Sequence, residues 1–361
     1  QIIAQKSLFL RHLNLGINSV FSEFEKLDLF FKNNFQKGNT IISSGFYGPI
    51  ANLIFFLCKK YSVQMICFEH GLTAGINYSN SKYKNFLEST TANLLLVCSQ
   101  AAKNIYDSAN YSSNISKLNA VEVVGESDQK KNIYFKSIQK HIMRKRFNIS
   151  NSNEVVVHVS GLSHGGNYRS ALDGPTESYL YGKEKILLEK VYSKVEKKII
   201  YKKYPTQRML YEPDYNEIEN ISSNIMMSGF EDFRYIRTIA DIIVTDSTYS
   251  TLTWCLINDV PLVFLKSDVC SKLINKKVEK AFYDSFIVID TDNSNWHKNL
   301  SNILNKSLKD IRLIWYKKED KRKYLAEKYL IGPKGITGIR AANYVDSYIK
   351  NYVIQKDQSN G

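Results

Sequence analysis

The stretch that decides the fold is IADIIVTDSTYSTLTWCLINDVPLVFL, residues 239–265. Its apolar runs DIIVT and PLVFL predict two strands that are buried on both faces, and the segment 248–257 between them predicts a helix. Hydroxyl groups and free N–H groups at the start of that helix would form a cradle for a phosphate group. The alternative is that Ser247 or Thr248 only caps the helix.

The same alternation of apolar runs and helical stretches recurs along the rest of the chain. Further strands are predicted at residues 40–43, 63–68, 93–98, 120–124, 154–159, 198–204, 224–227 and 285–289. Two successive sets of strands and helices predict an α/β protein with two Rossmann-like, doubly wound domains that face each other across a cleft. We expect an N-terminal domain at 1–150, a C-terminal domain at 151–335, and a helix at 336–361 that packs back on the N-terminal domain.

Composition and charge restrict the class of protein. The 361 residues are 43% hydrophobic and 23% charged, as in ordinary globular proteins, and the net charge of +14 favours anionic partners. The basic segment 127–153 is either a solvated helix or a surface that faces an anion. The five cysteines form no CxxC pair, which is typical of a reducing compartment.

No segment of the sequence reads as a membrane span. The longest apolar stretch, 50–58, is too short to cross a bilayer, which takes about 20 residues. The first residues carry no cleavage site, and the chain begins at Gln1 rather than Met, which indicates a trimmed sequence.

The first half of the chain offers an acid and an imidazole directly after a predicted strand. Glu69, His70 and Gly71 follow the strand 63–68, where a carboxylate and an imidazole can act as general acid or base and glycine permits a close approach of substrate. The alternative is a capping glutamate and a histidine satisfied by backbone groups. Ser44 and Gly45 follow the strand 40–43 in the same way.

The second half offers a polar loop and a basic strand end. Ser160 and Gly161 open a long loop that leads to Asp173, which is either a nucleophile or base, or the N-cap of the next helix. Lys203, Tyr204 and Arg208 lie around a strand end closed by proline, where cations can neutralise a diphosphate, although a solvated basic edge has the same composition.

Several familiar motifs are missing from the sequence. It contains no GxGxxG and no GxxxxGK[ST], so a dinucleotide fingerprint and a P-loop are not supported. Asp290, Thr291 and Asp292 look like a metal-binding DxD but have no third acid beside them, so we expect a turn.

Three motifs together resemble the GT-B glycosyltransferases of bacterial surface polysaccharide synthesis. They are FEHG at 68–71, KKYPTQR at 202–208, and the stretch 239–265, which is the most specific. The last is similar to the donor-binding stretch of capsule and lipopolysaccharide transferases of the Kdo and sialic-acid type. The chain departs from the Kdo-type pattern at Tyr204-Pro205, where that family carries His-Pro. The residues that match the donor stretch are Asp246, Ser247, Thr248, Ser250, Thr251 and Pro261.

The resemblance implies a metal-independent enzyme that moves Kdo or another nonulosonate from its CMP donor onto a bacterial surface glycan, without a cofactor. Glu69 or His70 would serve as base or acid, and Asp173 would be the nucleophile of a retaining reaction. The donor would be bound by Ser160, Gly161, Lys203, Tyr204, Arg208, Asp246, Ser247, Thr248, Ser250 and Thr251. The acceptor side would include Ser44, Gly45 and Gly71.

Other functions on the same pattern stay open. A CDP-polyol phosphotransferase of teichoic type and a sugar-nucleotide epimerase would use the same fold. A basic nucleic-acid-binding protein fits the charge, but no nucleic-acid-binding motif is present, so we expect no nucleic-acid partner. The expected partners are a nucleotide-sugar donor, a glycan or glycolipid acceptor, and an anionic membrane surface that attracts lysine and arginine. We therefore expect a cytoplasmic protein, peripheral on the inner face of the cytoplasmic membrane.

Overall fold

The computed structural model describes residues 2–44, 49–69, 74–78, 81, 92–108, 120–126, 136–160, 177–202, 221–228, 231–248, 250–257 and 259–359. The chain folds into two compact units. Unit 1 comprises Gln1–His70, Tyr83–Gly125 and Ile336–Gly361. Unit 2 comprises Gly71–Lys82 and Glu126–Gly335.

Helices and strands alternate through most of both units. In unit 1 the elements up to residue 125 are α1 (Ile2–Asn34), β1 (Thr40–Ser43), α2 (Pro49–Lys60), β2 (Gln64–Phe68), β3 (Leu94–Val97), α3 (Gln100–Ser108) and β4 (Ala120–Val123). Unit 2 continues with α4 (Lys136–Arg146), β5 (Val155–Val159), α5 (Glu177–Ile186), β6 (Lys198–Lys202), β7 (Ile225–Ser228), α6 (Phe233–Ile236), β8 (Ile242–Thr245), α7 (Ser250–Ile257), β9 (Leu262–Lys266), α8 (Lys276–Ser285), β10 (Ile287–Asp290), α9 (Trp296–Leu304), α10 (Leu308–Tyr316) and α11 (Glu319–Leu325). The last helix, α12 (Thr337–Ser359), belongs to unit 1.

The sheet of unit 1 has four parallel strands in the order β1-β2-β3-β4. Ile66 and Leu94 from its central strands are buried beside Ala341 of α12. Polar contacts reinforce this packing, since Arg340 Nε donates to the carbonyl of Val124 at 2.9 Å and Tyr348 Oη donates to Gln64 Oε1 at 3.1 Å. Helix α12 therefore packs on the first sheet, although it lies at the other end of the sequence.

The sheet of unit 2 has six parallel strands in the order β10-β9-β8-β5-β6-β7. Every residue of β5, β8 and β9 is buried, because these central strands are covered on both faces. The strand order reverses between β5 and β8: the chain builds β6 and β7 on one side of β5 and then returns to its other side. A ligand crevice is expected outside the carboxyl ends of the strands at such a switch point.

Helix α4 is attached to the second sheet. Arg144 is 5% exposed and donates to the carbonyls of Ser150, at 2.6 Å, and Asn153, at 3.3 Å. Its guanidinium also lies 3.7 Å from the carboxylate of Asp241, directly before β8. These contacts place residues 136–150 in unit 2, whereas the sequence prediction put them in the N-terminal domain.

Two parallel sheets with interleaved helices confirm the predicted α/β class. The predicted strands are found with bounds that differ by one or two residues, except that the end of 198–204 lies outside the described residues. In the described part of the chain, no helix is long and apolar enough to span a bilayer.

Candidate functional site

The turn after β8 lies at the switch point of the second sheet. Val159, the last residue of β5, is in register with Thr245, the last residue of β8. Thr245 Oγ1 donates to the carbonyl of Val159 at 2.8 Å and accepts the backbone N–H of Ser247 at 3.0 Å. The Thr245 side chain therefore fixes both the spacing of the two strand ends and the path of the chain beyond β8.

The hydroxyl residues of this turn differ in exposure. Ser247 and Thr248 are buried, at 1% and 0% exposure, whereas Thr251 in the first turn of α7 is partly exposed. Ser250 is the first residue of α7, and its side chain lies outside the described residues, as does Tyr249. Of the described hydroxyls, Thr251 is the one at this helix start that solvent reaches.

Thr248 is bound by a residue from a distant part of the sequence. Asn77 Nδ2 donates to Thr248 Oγ1 at 2.6 Å, and both residues are at least nine-tenths buried. Asn77 belongs to the segment 74–81, which follows β2 in the chain but is part of unit 2. No local pattern in the sequence around Asn77 signals this contact.

The segment 74–81 is held in unit 2 by its backbone. The carbonyl of Ile76 accepts the N–H of Ile274 at 2.8 Å, and the N–H of Tyr78 donates to the carbonyl of Lys272 at 2.9 Å. The Lys272 ammonium lies 4.3 Å from the centre of the Tyr78 ring. Within the segment, Ser81 Oγ accepts the N–H of Gly75 at 3.0 Å.

Other predicted donor residues lie at neighbouring strand ends. Ser160 follows β5, and its N–H donates to the carbonyl of Lys202, the last residue of β6, at 3.1 Å. Asp246 follows β8 directly. The structure therefore brings Ser160 and Asp246 to adjacent strand ends. Gly161, Asp173, Lys203, Tyr204 and Arg208 lie outside the described residues.

Lys202 contributes a buried cation to the same edge of the sheet. It is 5% exposed, and burial lowers its pKa, while the nearby carboxylates of Glu231 and Asp232 act in the opposite direction. Burial has the larger effect, so the pKa of Lys202 is lowered overall.

A second cation, Lys183 of α5, lies among polar residues that follow β9 and β10. Its ammonium donates to Thr291 Oγ1 at 2.7 Å and Ser267 Oγ at 3.2 Å, and lies 3.6 Å from Asp292 Oδ1. Asp292 in turn accepts the N–H of Asp268 at 2.6 Å. Sequence reasoning did not single out Lys183, because it lies within a charged helix whose other lysines are solvated.

The DxD sequence at 290–292 forms a turn, as expected. The N–H of Asp292 donates to Asp290 Oδ1 at 3.0 Å, and the Asp290 carboxylate lies 3.3 Å from the ammonium of Lys266. Both carboxylates thus face cations or backbone N–H groups. Across the described ranges, no cluster of three or more histidine, cysteine or acidic residues is arranged to hold a metal ion.

In unit 1, Glu69 connects two strand ends. Its backbone N–H donates to the carbonyl of Leu96, and its Oε2 accepts the N–H of Cys98 at 2.9 Å. The carboxylate therefore has a structural role after β3, in addition to the acid or base role that its position suggests. Ser44 is exposed after β1, while Gly45, His70 and Gly71 lie outside the described residues.

A buried polar group lies beneath the carboxyl edge of the second sheet. His158 of β5 stacks on Tyr201, with ring centres 4.6 Å apart, and its Nδ1 lies 2.7 Å from Tyr192 Oη. Burial lowers the pKa of His158 to about 3, so its ring is neutral in the folded protein. Burial also raises the pKa of Tyr192, with a smaller contribution from the charge of Asp246.

Comparisons with known proteins add the fold family. No protein-family model matches the chain, and no curated protein matches it. A glycosyltransferase from Rickettsia africae is similar in structure, with a TM-score of 0.51 and 11% identity over 91% of this chain and 81% of that chain. UGT89C1 of Arabidopsis thaliana complexed with UDP is also similar in structure, with a TM-score of 0.50 and 11% identity over 91% of this chain and 77% of that chain.

A third solved structure is the UDP-GlcNAc 2-epimerase of Neisseria meningitidis bound to UDP-GlcNAc. It gives a TM-score of 0.50 and 13% identity over 91% of this chain and 80% of that chain. Identities this low establish the fold and nothing finer. The chain has the GT-B fold, as its sequence motifs predicted.

Proposed function

We propose that the protein is a glycosyltransferase that uses a nucleotide-activated sugar. The observation that carries the proposal is the turn from β8 into α7, which lies beside β5 at the point where the strand order of the second sheet reverses. Open α/β sheets bind their ligands at this point, and a helix N-terminus there favours an anion. The structural similarity to a glycosyltransferase and to structures with bound UDP and UDP-GlcNAc supports the same conclusion.

We assign the donor phosphate to the first turn of α7. Thr251 is partly exposed, the backbone N–H groups of Ser250 and Thr251 are the first of the helix, and the Ser250 hydroxyl would add a further donor. Ser247 and Thr248 are buried, so they shape the turn rather than meet solvent. Ser160, Gly161 and Asp246 would complete the strand-end edge of this site. Lys203 and Arg208 would offset the negative charge of the donor, and Tyr204 would contact the donor in place of the histidine of the Kdo-type pattern.

For the donor we propose a CMP-activated nonulosonate such as Kdo. The support is the sequence similarity of residues 239–265 to the Kdo and sialic-acid type of transferase. A CMP donor carries one phosphate, whose charge the cations of the basic strand end are enough to balance, so the proposed reaction needs no metal ion.

For the chemistry we propose that Glu69 or His70 deprotonates the acceptor hydroxyl as it attacks the anomeric carbon, while CMP leaves. In a retaining reaction, Asp173 would attack first and form a glycosyl ester, which the acceptor then resolves. Ser44, Gly45 and Gly71 would line the acceptor side. The acceptor would be a bacterial surface glycan or glycolipid, and the net charge of +14 would bring the protein to an anionic membrane surface.

The proposal is tested by incubating the protein with CMP-Kdo, CMP-sialic acid, CDP-glycerol and UDP-sugars, each with a candidate glycan acceptor. We expect release of CMP from a CMP-sugar, and we expect EDTA to leave the rate unchanged. A Glu69→Ala/His70→Ala double variant should lose this activity. Release from CDP-glycerol or UDP-sugars alone would overturn the choice of donor, and no binding of any nucleotide would overturn the proposed function.

A second candidate function is sugar-nucleotide epimerisation. The observation that favours it is the similarity to the Neisseria epimerase, at the same TM-score as to UGT89C1. An epimerase acts on its nucleotide-sugar without any acceptor. Incubation with UDP-GlcNAc alone, followed by NMR of the sugar carbons, separates the two functions: a change at a sugar stereocentre without acceptor identifies an epimerase.

A further inference from the structure

The contact between Asn77 and Thr248 joins positions 171 residues apart in the sequence and is one of the most buried side-chain contacts of unit 2. Asn77 is 3% exposed, Thr248 is 0% exposed, and the donor and acceptor atoms are 2.6 Å apart. Breaking a hydrogen bond at such a depth leaves polar groups without solvent to replace it. The contact therefore holds the Thr248 side chain in the turn after β8.

The direction of this hydrogen bond also sets the direction of the Thr248 hydroxyl. An amide nitrogen only donates, so Thr248 Oγ1 is the acceptor of this hydrogen bond and does not donate its own hydrogen to Asn77 Nδ2. A carboxylate at position 77 would reverse this polarity, because an ionised carboxylate only accepts. Position 77 therefore controls both the position and the hydrogen-bond polarity of the turn.

Thr248 lies two residues before the start of α7, so a shift at Thr248 is passed directly to the first turn of that helix. On the sheet side the same turn is fixed by Thr245, through Val159 and the N–H of Ser247. Thr245 and Asn77 thus hold the turn from two different elements. Only Thr245 belongs to the local strand–turn–helix pattern.

We propose that Asn77 is a positioning residue for the phosphate-binding turn at the start of α7, and that it raises affinity for the phosphate group of a nucleotide. This inference rests on the proposed function. Asn77 acts through Thr248 and is not itself assigned a contact with the donor. Asn77 thereby supports the nucleotide-binding site, although it follows the Glu69 strand end in sequence.

The test measures the affinity of the full chain for CMP, or for whichever nucleotide of the donor panel binds best, by titration calorimetry. Asn77→Ala should weaken binding about 3- to 10-fold, the loss expected for one hydrogen bond. Asn77→Asp should weaken it more, because it reverses the polarity and adds a negative charge beside the anion. Affinity for the nucleoside without phosphate should not change, a result that a general loss of structure would not produce.

Ser81→Ala is the matched control. It removes a hydrogen bond within the same buried segment, to the N–H of Gly75, without touching Thr248. We expect nucleotide affinity within about twofold of the wild type. Equal losses in Asn77→Ala and Ser81→Ala would overturn the inference, since the segment would then matter only for stability.

Variants at the other end of the bond keep the test decisive if an Asn77 variant does not fold. Thr248→Ser retains the acceptor hydroxyl and should bind like the wild type, whereas Thr248→Val should match Asn77→Ala. In the Thr248→Val background, Asn77→Ala should cause no further loss, as a double-mutant cycle requires for a direct pair. If the wild type binds the nucleotide and the Asn77→Ala and Thr248→Val variants bind it with the same affinity, this inference alone is overturned. Absence of nucleotide binding by the wild type overturns the proposed function with it.

Discussion

The two sheets differ in strand order, and the difference indicates where a ligand would bind. The described strands of unit 1 lie in chain order, β1-β2-β3-β4, whereas the order of the six parallel strands of unit 2 reverses between β5 and β8. A crevice forms where the connections leave a sheet on opposite sides, so geometry alone points to the turn after β8. Glu69, after β2, has no such reversal beside it among the described strands and is assigned to the site by its chemistry alone.

The strand-end residues of the two sheets are also used differently. Glu69 accepts a backbone N–H from the neighbouring strand end of its own sheet. Thr248 accepts from Asn77, which arrives from a segment far away in sequence. In the first sheet, the strand-end residue therefore bonds to a neighbouring strand end of the same sheet. In the second sheet, it bonds to a residue from a distant part of the sequence. Variants that change activity and nucleotide binding test this contrast first, and variants that change stability test it next.

The largest effect is expected at Glu69. Glu69→Gln keeps an oxygen that can accept the Cys98 N–H but removes the charge, so we expect transfer activity to fall by about 100-fold or more. The stability of this variant should change by less than about 1 kcal/mol, because the hydrogen bond survives. Turnover of the donor and urea unfolding measure the two quantities.

The companion variant Glu69→Ala separates the structural role from the chemical one. It removes the acceptor as well as the charge and should lower the free energy of unfolding by about 1–3 kcal/mol. If Glu69→Gln is fully active while Glu69→Ala is unstable, Glu69 is a structural residue only and the base must be sought elsewhere.

The next effect concerns the hydroxyls at the start of α7. Ser250→Ala/Thr251→Ala should weaken nucleotide binding about 10- to 100-fold, because each hydroxyl would donate to a charged phosphate. The melting temperature should be nearly unchanged, since Thr251 is partly exposed. Calorimetric titration and a thermal melt give both values.

Ser307→Ala is a suitable control for the loss of a helix-start hydroxyl. Ser307 caps α10, where its Oγ accepts the N–H of Asp310 at 3.1 Å. Its loss should cost about 1 kcal/mol of stability with no change in nucleotide affinity. Equal affinities of the α7 double variant and the wild type would contradict the assignment of the phosphate.

Because α4 is attached to unit 2, Arg144→Ala should lower the free energy of unfolding by about 2–3 kcal/mol. The buried guanidinium of Arg144 binds two carbonyls and a carboxylate. Arg146→Ala is the control: its side chain is 58% exposed in an ion pair with Glu231 and should contribute less than about 1 kcal/mol. Chemical denaturation measures both. Equal small effects would show that α4 is not part of the second core.

The last prediction is a pH dependence of stability that comes from His158. Its pKa is lowered to about 3 in the folded protein, so between pH 6.5 and 3 the unfolded chain binds one proton more than the folded chain. Stability from this group is complete above about pH 6.5 and falls with decreasing pH by up to about 1.4 kcal/mol per unit. His158→Phe should remove this slope, measured by urea unfolding between pH 4 and 7.

Tyr192→Phe is the control for the His158 prediction. It removes the hydroxyl that lies 2.7 Å from His158 Nδ1 but leaves the His158 ring buried and neutral. The dependence of stability on pH should therefore remain. An unchanged slope in His158→Phe would mean that other groups cause the acid sensitivity.

Local patterns in the sequence were sufficient for the strands and for the fold class. Runs such as VVVHV and IIVT are apolar throughout because β5 and β8 are buried on both faces, and this pattern is readable without a structure. Helix α1 was not predicted. Its apolar residues do not form one stripe: Phe31 is buried, whereas Phe21 and Leu29 are more than half exposed.

The candidate site was only partly predictable. Asp246 to Thr251 could be found because a strand, a hydroxyl run and a helix follow one another within a few residues. Asn77 and Lys183 could not, because their partners, Thr248 and Thr291, lie more than 100 positions away in the sequence. The burial of Ser247 and Thr248 could not be predicted either. Their hydroxyls resemble surface hydroxyls in the sequence, but both residues are buried in the structure.

The central claim is that a nucleotide phosphate binds at the turn from β8 into α7. A crystal structure of the protein grown with CMP tests it most directly. We predict a phosphate within hydrogen-bond distance of Thr251 Oγ1 and the first N–H groups of α7. A nucleotide bound with its phosphate away from this helix start, at any other strand end of either sheet, would contradict the account.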